Sequence, residues 1–400
     1  MRVLRSAALL SFSLFCAVAA TSQSVLVVGP GGYATIQDAV DAASNGDIVR
    51  IAPGTYGVFQ LSGKGLTLIA DQPGTVRIRN LSTGGNVVAI DLNPSLQLRL
   101  VDLVFETDPA IGDLIVSIGY GITSIEGCTF VGGMLPVLHV GFNAALVMRR
   151  CQLQGSSDAP MRVTSSAHLL ASQCTFTGGP VLGLSTSGAA LRVDAASAFL
   201  SNCTLTGGSY VGPAFAYGAG PGLLCDIPAR LWVVDCTVRG GDSSVANVPP
   251  GPAIANGGWT SYHRGTLLGG IGPTGQAVAI PGPSLAEPLL GVTSSPTELQ
   301  LGANFDVVLR GAPGDILVTF GTTELQPLQV VPILAQPLLG FLAPTGIVVD
   351  AAIAGPTGVV SYSFLVPNTP AIRHLAVWFR AIDLATWPLQ ASAIVGGVIR

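Results

Sequence analysis

Charged side chains are scarce in this sequence. Asp, Glu, Lys and Arg make up only 10% of its 400 residues, against about 25% in a typical soluble domain. The formal net charge is −4, so the chain has no basic field with which to attract nucleic acid. Hydrophobic residues reach 49%, and this supply of apolar surface to bury excludes an intrinsically disordered protein.

Long apolar runs are missing beyond the N-terminal segment. A membrane helix needs ~18 uninterrupted apolar residues, and Pro332, Pro337 and Pro344 interrupt the most apolar later region, 330–349. Gly and Pro are abundant by contrast, with 51 and 28 residues, and both break helices. The composition therefore predicts a large, turn-rich, mostly β protein with no membrane span in the mature chain.

Residues 1–22 have the pattern of a signal peptide. Arg2 and Arg5 give a positive start, an apolar segment runs over residues 6–20, and small residues follow. Cys16 follows a bulky phenylalanine, where a lipoprotein signal needs a small side chain. The sequence therefore predicts simple export, which places the protein outside the cell or at its surface.

The segment after the leader predicts a short helix followed by a strand. Apolar residues at positions 36, 39, 40 and 43 fall on one helix face. Thr35 and Asp38 resemble a capping box, and Asn45-Gly46 ends the helix. The stretch 33–56 resembles the entry segment of the pectin-lyase-like right-handed parallel β-helix superfamily, which includes pectin methylesterases. The resemblance implies a solenoid whose open end is covered by this helix.

The strongest pattern is an internal repeat centred on cysteine. Five segments of the form x-x-Cys-x-hydrophobic-x-Gly-x align, and their cysteines are Cys128, Cys151, Cys174, Cys203 and Cys236. The cysteines are 23, 23, 29 and 33 residues apart. Periods of this length indicate a solenoid, with three short strands in each turn and the longer spacings taken up by loops at one corner.

Strand alternation predicts which side chains of each repeat face the core. The cysteine and the residue two positions later share the inner face, whereas the residue between them faces outward. The glycine pair then makes the corner, and the cysteines stack inside as inert thiols. Disulfides between turns are the alternative in an exported protein. The wide spacing does not match a zinc site.

The C-terminal region has a different pattern. From residue 288 onward, short apolar runs separated by turn signals predict a β-sandwich. The pieces 310–314, 365–370 and 392–395 resemble a C-terminal module of secreted proteins from planctomycetes and related bacteria, which implies export or surface display. The predicted fold class is all-β. The predicted parts are a signal peptide over 1–22, a right-handed parallel β-helix with an N-terminal capping helix over 24–280, and a small β-sandwich over 281–400.

Residues typical of catalysis are sparse. The sequence has no Asp-Asp pair and a single lysine, Lys64. Ca²⁺ takes about six to eight oxygen ligands, and no dense acidic cluster supplies them. We therefore predict no catalytic residue, no cofactor and no metal. The alternative is a pectin-lyase-like enzyme, either a polysaccharide lyase or an esterase, and only that alternative involves Ca²⁺.

Three basic residues form the one pattern that suggests binding. His139, Arg162 and Arg192 each lie in the middle of a short apolar strand upstream of a repeat cysteine, so they should face outward and lie one above another. Asp194 lies two residues beyond Arg192 on the same side. Such a ladder suits an acidic polysaccharide held by bidentate hydrogen bonds, and the alternative is a solvated face with one Arg192–Asp194 ion pair.

These patterns together predict a non-catalytic extracellular or surface protein that contacts polysaccharide. They predict no nucleic-acid partner and make no prediction of the oligomeric state.

Overall fold

The structure is a computed structural model with two units. It describes residues 23–79, 88–93, 96–107, 116–132, 136–155, 159–180, 188–210, 218–273, 275–280, 285–286, 291–295, 299–322, 328–329, 338–339, 347–373, 375–385, 390–391 and 395–400. The first unit is Ser24–Glu287 and the second is Pro288–Arg400. Within these described ranges, no helix has both the length and the apolar character needed to cross a membrane.

The first unit is a right-handed parallel β-helix in which each turn adds one strand to each of three sheets. Sheet 1 contains Val25–Val28, Ile48–Ile51, Thr67–Ala70, Gln97–Val101, Ile122–Glu126, Ala145–Arg149, His168–Ser172, Ser197–Ser201, Arg230–Val234, Trp259–His263 and Leu285–Ala286. Sheet 2 contains Gly54–Tyr56, Val76–Arg79, Leu103–Glu106, Thr129–Val131, Gln152–Gln154, Thr175–Thr177, Thr204–Thr206, Thr237–Arg239 and Thr266–Leu268. Sheet 3 contains Phe59–Ser62, Val88–Asp91, Val116–Gly119, Leu138–Gly141, Met161–Val163, Leu191–Val193, Leu223–Cys225 and Ile254–Asn256. The predicted fold class is confirmed.

The core of the β-helix (the coil, below) is built from similar residues that stack on one another on successive turns. The five repeat cysteines are free thiols with at most 1% exposure, so the predicted stack inside the core is confirmed. Each Sγ donates to the carbonyl oxygen two residues earlier, as Cys174 does to Ser172 at 3.2 Å. The residues two positions later continue the stack, and the Phe105 and Phe130 rings lie parallel with centroids 4.9 Å apart.

The sharp corner of each turn lies before the cysteine rather than after it. A single residue with positive φ joins sheet 1 to sheet 2, and the members of this column are Asp102, Gly127, Arg150, Gln173, Asn202, Asp235 and Arg264. The glycine pairs beyond sheet 2, such as Gly240 and Gly241, do not have positive φ, and the chain makes no turn or bend at those that the structure describes. The prediction that they form the corner is therefore wrong, and they have a different role.

Glycines allow two backbone segments to touch where each loop leaves sheet 2 and returns to sheet 3. A run of hydrogen bonds passes from Gly208 N to Gly188 O, from Gly220 N to Gly208 O, from Gly241 N to Gly220 O, from Gly251 N to Gly241 O and from Gly270 N to Gly251 O, at 2.6–2.9 Å. A Cβ on Gly241 would lie 2.0 Å from the carbonyl oxygen of Gly208. No larger residue fits this approach.

The predicted capping helix is Ile36–Ala42. Thr35 Oγ1 accepts from Asp38 N at 3.1 Å at its start, and Ile36, Ala39 and Val40 are buried against the coil.

Polar contacts fix this helix to the first strand of sheet 3. The side-chain amide of Gln37 accepts from Gln60 N at 2.8 Å and donates to Gln60 O at 3.2 Å. Lys64 Nζ donates to the helix carbonyls of Val40 and Asp41. The amide of Gln37 thus satisfies backbone groups that an edge strand otherwise leaves unpaired.

The second unit contains two antiparallel sheets. One consists of Gly291–Ser295, Asn304–Arg310 and Val359–Leu365, and the other of Ile316–Thr322, Ile347–Ile353, Ala376–Asp383, Gln390–Ala391 and Val395–Val398. Phe305 and Phe364 of the first sheet stack on Phe379 of the second, with centroids 5.8 and 4.9 Å apart. This packing is that of a small β-sandwich.

Short elements complete the described chain. The pairs Ile271–Gly272 with Gly275–Gln276 and Leu328–Gln329 with Leu338–Leu339 are antiparallel, and Pro370–Ile372 is a 3₁₀ turn.

Candidate functional site

The structure places His139, Arg162 and Arg192 in one column on the outer face of sheet 3. His139 is in register with Arg162, and Arg162 with Arg192, on successive turns. The buried residues on either side of each, such as Met161 and Val163 around Arg162, face the core. Ser117 and Leu224 occupy the column before and after these three, so the basic part is three turns tall, as the repeat spacing predicts.

A second column lies beside the first, where the chain leaves sheet 3. On successive turns it consists of Gly141, Thr164, Asp194 and Asp226, each of the last three bonded through its backbone N–H to the turn before. This column was not part of the predicted site, apart from Asp194. It provides the hydroxyl and carboxylate groups that the basic column contacts.

Each basic residue contacts the polar residue of the following turn. His139 Nε2 and Thr164 Oγ1 are 2.9 Å apart, and Arg162 Nη2 donates to Asp194 Oδ2 at 3.4 Å. Arg192 Nε and Nη2 both lie 3.0 Å from Asp226 Oδ2. We call these six residues the polar ladder: His139, Arg162, Arg192, Thr164, Asp194 and Asp226.

The Arg192–Asp194 ion pair of the alternative interpretation does not form. Each arginine instead reaches diagonally across the sheet, to the residue that lies on the next turn and two positions beyond its own register partner. Asp194 consequently pairs with Arg162, and Arg192 pairs with Asp226, a residue that the sequence analysis missed.

The ladder is partly exposed and electrically balanced. The Arg162 and Asp194 side chains are 36% and 32% exposed, and those of Arg192 and Asp226 are 26% and 34% exposed. Two guanidinium groups therefore face two carboxylates. Burial, reinforced by the nearby Arg162 charge, lowers the pKa of His139 below its usual value of 6.5, so this side chain is neutral at pH 7.

Hydrogen-bonding capacity remains in the ladder after these pairs have formed. Within the described ranges, the carboxylates of Asp194 and Asp226 accept from arginine only through Oδ2, and the buried Nε of Arg162 has no partner. A buried donor without a partner is costly and calls for an explanation. The ladder thus presents alternating donors and acceptors at about 4.8 Å per turn.

The described residues do not form a metal centre. Across the ranges that the structure describes, no group of three His, Cys, Asp or Glu side chains could hold an ion. The side chains of the ladder are hydrogen-bond donors and acceptors.

No protein-family model matches the chain, and no curated protein matches it in sequence. Solved structures match in fold. The pectin methylesterase of Aspergillus niger is 15% identical over 67% of this chain and 93% of that chain, with a TM-score of 0.39. Pectin methylesterase PemA of Erwinia chrysanthemi is 11% identical over 67% and 94%, with a TM-score of 0.44. Tailspike protein 2 of bacteriophage CAB120 is 9% identical over 91% and 65%, with a TM-score of 0.39.

The three-sheet β-helix with its N-terminal helix has the architecture that the stretch 33–56 implied, a parallel solenoid whose open end is covered by a helix. Likeness at these levels of identity concerns the fold alone. The function of this chain is therefore a question for its own side chains.

Proposed function

We propose that this protein is an exported, non-catalytic β-helix protein that binds a polysaccharide along the outer face of sheet 3. The observation that supports it is the polar ladder, in which three pairs repeat in register on successive turns. A glycan is also a repeating chain, whose sugar units carry hydroxyl groups at regular intervals, so several weak contacts can form at once. Each exposed contact is weak alone, and together they give an affinity of about micromolar to millimolar.

The pairing inside the ladder bears on the class of glycan. Arg162 and Arg192 are each matched by a carboxylate, so the ladder offers no net positive charge to an acidic chain. Paired arginine and aspartate side chains suit hydroxyl groups, because a hydroxyl donates to one and accepts from the other. We therefore favour a neutral, hydroxyl-rich polysaccharide over the acidic one that the sequence suggested. The experiment below includes a probe of each class.

The test is calorimetry of the purified protein with cellohexaose and mannohexaose as neutral probes and with hexagalacturonate as the acidic probe. The Arg162→Ala, Arg192→Ala double variant should bind roughly tenfold more weakly or worse. The matched control is Arg77→Ala, Arg79→Ala, which removes two arginines paired to Glu106 on sheet 2. The control should bind like the wild type. Absence of binding to every probe, or equal loss in both double variants, would reject the proposal.

A carbohydrate-active enzyme is the second candidate, because the ladder places two carboxylates on successive turns. Asp194 and Asp226 lie in one corner column beside arginine side chains, and paired carboxylates are the usual groups of glycoside chemistry. Incubation of the same probes with and without Ca²⁺, followed by analysis of chain length, tests this candidate. New reducing ends that disappear in Asp226→Asn would establish an enzyme in place of a binding protein.

The proposed export has its own test. The signal peptide over 1–22 lies outside the described residues, so its removal stays a prediction. The intact mass of protein recovered from the medium of expressing cells should lack this segment, and a full-length mass would contradict export through it.

A further inference from the structure

Two aromatic side chains stand exposed at the corner between sheet 3 and sheet 1, directly beside the polar ladder. Tyr120 is 45% exposed and Phe142 is 57% exposed. Their rings stack with centroids 5.9 Å apart and planes inclined by 24°. The two rings in contact form a contiguous apolar patch, and contiguous exposed apolar patches mark binding sites more often than single surface residues do.

The backbone at this pair is strained. Tyr120 and Phe142 both have a φ of 51°, a left-handed conformation that bulky residues rarely adopt and that Gly and Asn accept most readily. Tyr120 and Phe142 belong to a column of corner residues, one on each turn, that continues with Ser165 and Ala195. These two residues have φ of 54° and 48°, so the corner itself imposes this conformation. Aromatic rings are thus kept where another residue would stabilise the fold better, and strain of this kind concentrates at functional sites.

The column leaves a gap next to Phe142. On the following turns it carries the small residues Ser165 and Ala195, and then Ile227, which is 74% exposed. Two turns of small residues open a notch of about 10 Å, at ~4.8 Å per turn. The stack with Tyr120 occupies one face of the Phe142 ring, which leaves the other face free of the pair.

The wall of this notch is the polar ladder. Gly141 precedes Phe142, and a Cβ built on Gly141 would lie 3.3 Å from Thr164 Oγ1 and 3.6 Å from His139 Cε1. Thr164 and Asp194 immediately precede Ser165 and Ala195 in the chain. An apolar ring face and a row of hydrogen-bonding groups therefore meet at one place.

We propose that the notch between Phe142 and Ile227 binds one neutral hexopyranose unit of the polysaccharide, with its C–H face against the Phe142 ring and its hydroxyl groups against the Arg162–Asp194 pair. This assignment rests on the proposed polysaccharide-binding function and adds the subsite that selects the sugar. A pyranose has an apolar face of C–H bonds and an equatorial rim of hydroxyls, which match the two parts of the notch. The carboxylate of a uronic acid gains nothing from the electron-rich face of an aromatic ring.

The test separates ring stacking from stability by replacing Phe142. Phe142→Asn removes the ring and relieves the left-handed strain, so its Tm should equal or exceed that of the wild type, and its affinity for the neutral hexasaccharide that binds should fall by roughly tenfold. Phe142→Tyr keeps the ring and is the matched control, with affinity within about threefold of wild type. Phe142→Leu keeps apolar bulk without the ring and should resemble Phe142→Asn in binding.

Each outcome has a distinct meaning. If the wild type binds no hexasaccharide, the proposed function fails and this subsite with it. If the wild type binds and the Arg162→Ala, Arg192→Ala variant is weakened, but Phe142→Asn binds like the wild type, the subsite alone is rejected. Equal weakening by Phe142→Tyr and Phe142→Asn also rejects ring stacking.

Discussion

Arg192 Nε and Nη2 each lie 3.0 Å from Asp226 Oδ2, one turn further along the coil. Both side chains are partly exposed, at 26% and 34%, so water screens the pair and its contribution to stability is about 0–1 kcal/mol. Its main effect is on charge. Together with Arg162–Asp194 it leaves the polar ladder without net charge while keeping both donors and acceptors in place.

Removal of the two carboxylates should change the selectivity of this face. In the Asp194→Asn, Asp226→Asn double variant, two guanidinium groups lose their counter-charges and become available to uronic acids. We expect hexagalacturonate to bind several-fold more tightly than to the wild type, with an affinity that falls as salt rises. Calorimetry at two salt concentrations measures this.

The matched control changes the same charge elsewhere on the coil. Asp71→Asn, Asp235→Asn removes two carboxylates that pair with Arg50 and Arg264. An equal gain in affinity for hexagalacturonate in that control would show a general effect of net charge and would contradict a local role of the ladder.

The sequence was sufficient to predict which residues form the inner columns and which form the basic column. The cysteine spacing sets the register of the turns, and alternation within a strand then fixes which side of the sheet each residue faces. Cys174 in the core and Arg162 outside follow from these two rules alone.

The partners across turns were harder to predict. Asp226 lies 34 residues beyond Arg192, because the loop between sheets 2 and 3 differs in length from turn to turn. The one available signal is that Asp226 lies two residues after Leu224, the register partner of Arg192. The role of the glycine pairs also depends on the return segment, whose position no local motif fixes.

The stacked thiols should be inaccessible in the native protein. Cys128, Cys174 and Cys236 are at most 1% exposed, and burial raises the pKa of each thiol well above its ordinary value, which suppresses the reactive thiolate. We expect iodoacetamide at pH 8 to leave the cysteines of the coil unmodified in the native state and to alkylate them after denaturation. Mass spectrometry counts the adducts, and rapid native labelling of several would contradict the stacked core.

Stability should fall as pH drops through the range in which histidine titrates. Burial lowers the pKa of His139 and of His168 from 6.5, so the unfolded chain binds these protons at a higher pH than the folded chain does. The contribution of the two neutral histidines to the free energy of unfolding is therefore complete above about pH 6.5. It is lost progressively below that pH, down to the lowered pKa values. Urea unfolding at pH 7, 6 and 5 should show a decreasing free energy of unfolding.

A histidine double variant provides the control for this pH dependence. His139→Asn, His168→Asn should show a flatter profile between pH 7 and 5. Asp242, whose pKa is lowered from 3.8 by a backbone hydrogen bond from Ile271 and by Arg239, titrates below this window. A wild-type slope retained in the double variant would assign the effect to other groups.

The glycine contacts at the base of the loops should be among the least replaceable features of the coil. Gly241 N donates to Gly220 O at 2.8 Å, and Gly241 O accepts from Gly251 N at 2.9 Å. A methyl group at this position would lie 2.0 Å from Gly208 O, so the backbone must separate and lose buried hydrogen bonds. Gly241→Ala should therefore destabilise the protein by about 3 kcal/mol or more.

Gly57→Ala is the matched control for this change. Gly57 is exposed, and a Cβ there would meet nothing within 4 Å, so its substitution should alter the free energy of unfolding by no more than about 0.5 kcal/mol. Urea unfolding of both variants makes the comparison. If Gly241→Ala were as stable as Gly57→Ala, the two backbone segments could not be in the close contact that joins the returning loop to the coil. The double glycine of the repeat would then be explained by turn formation after all.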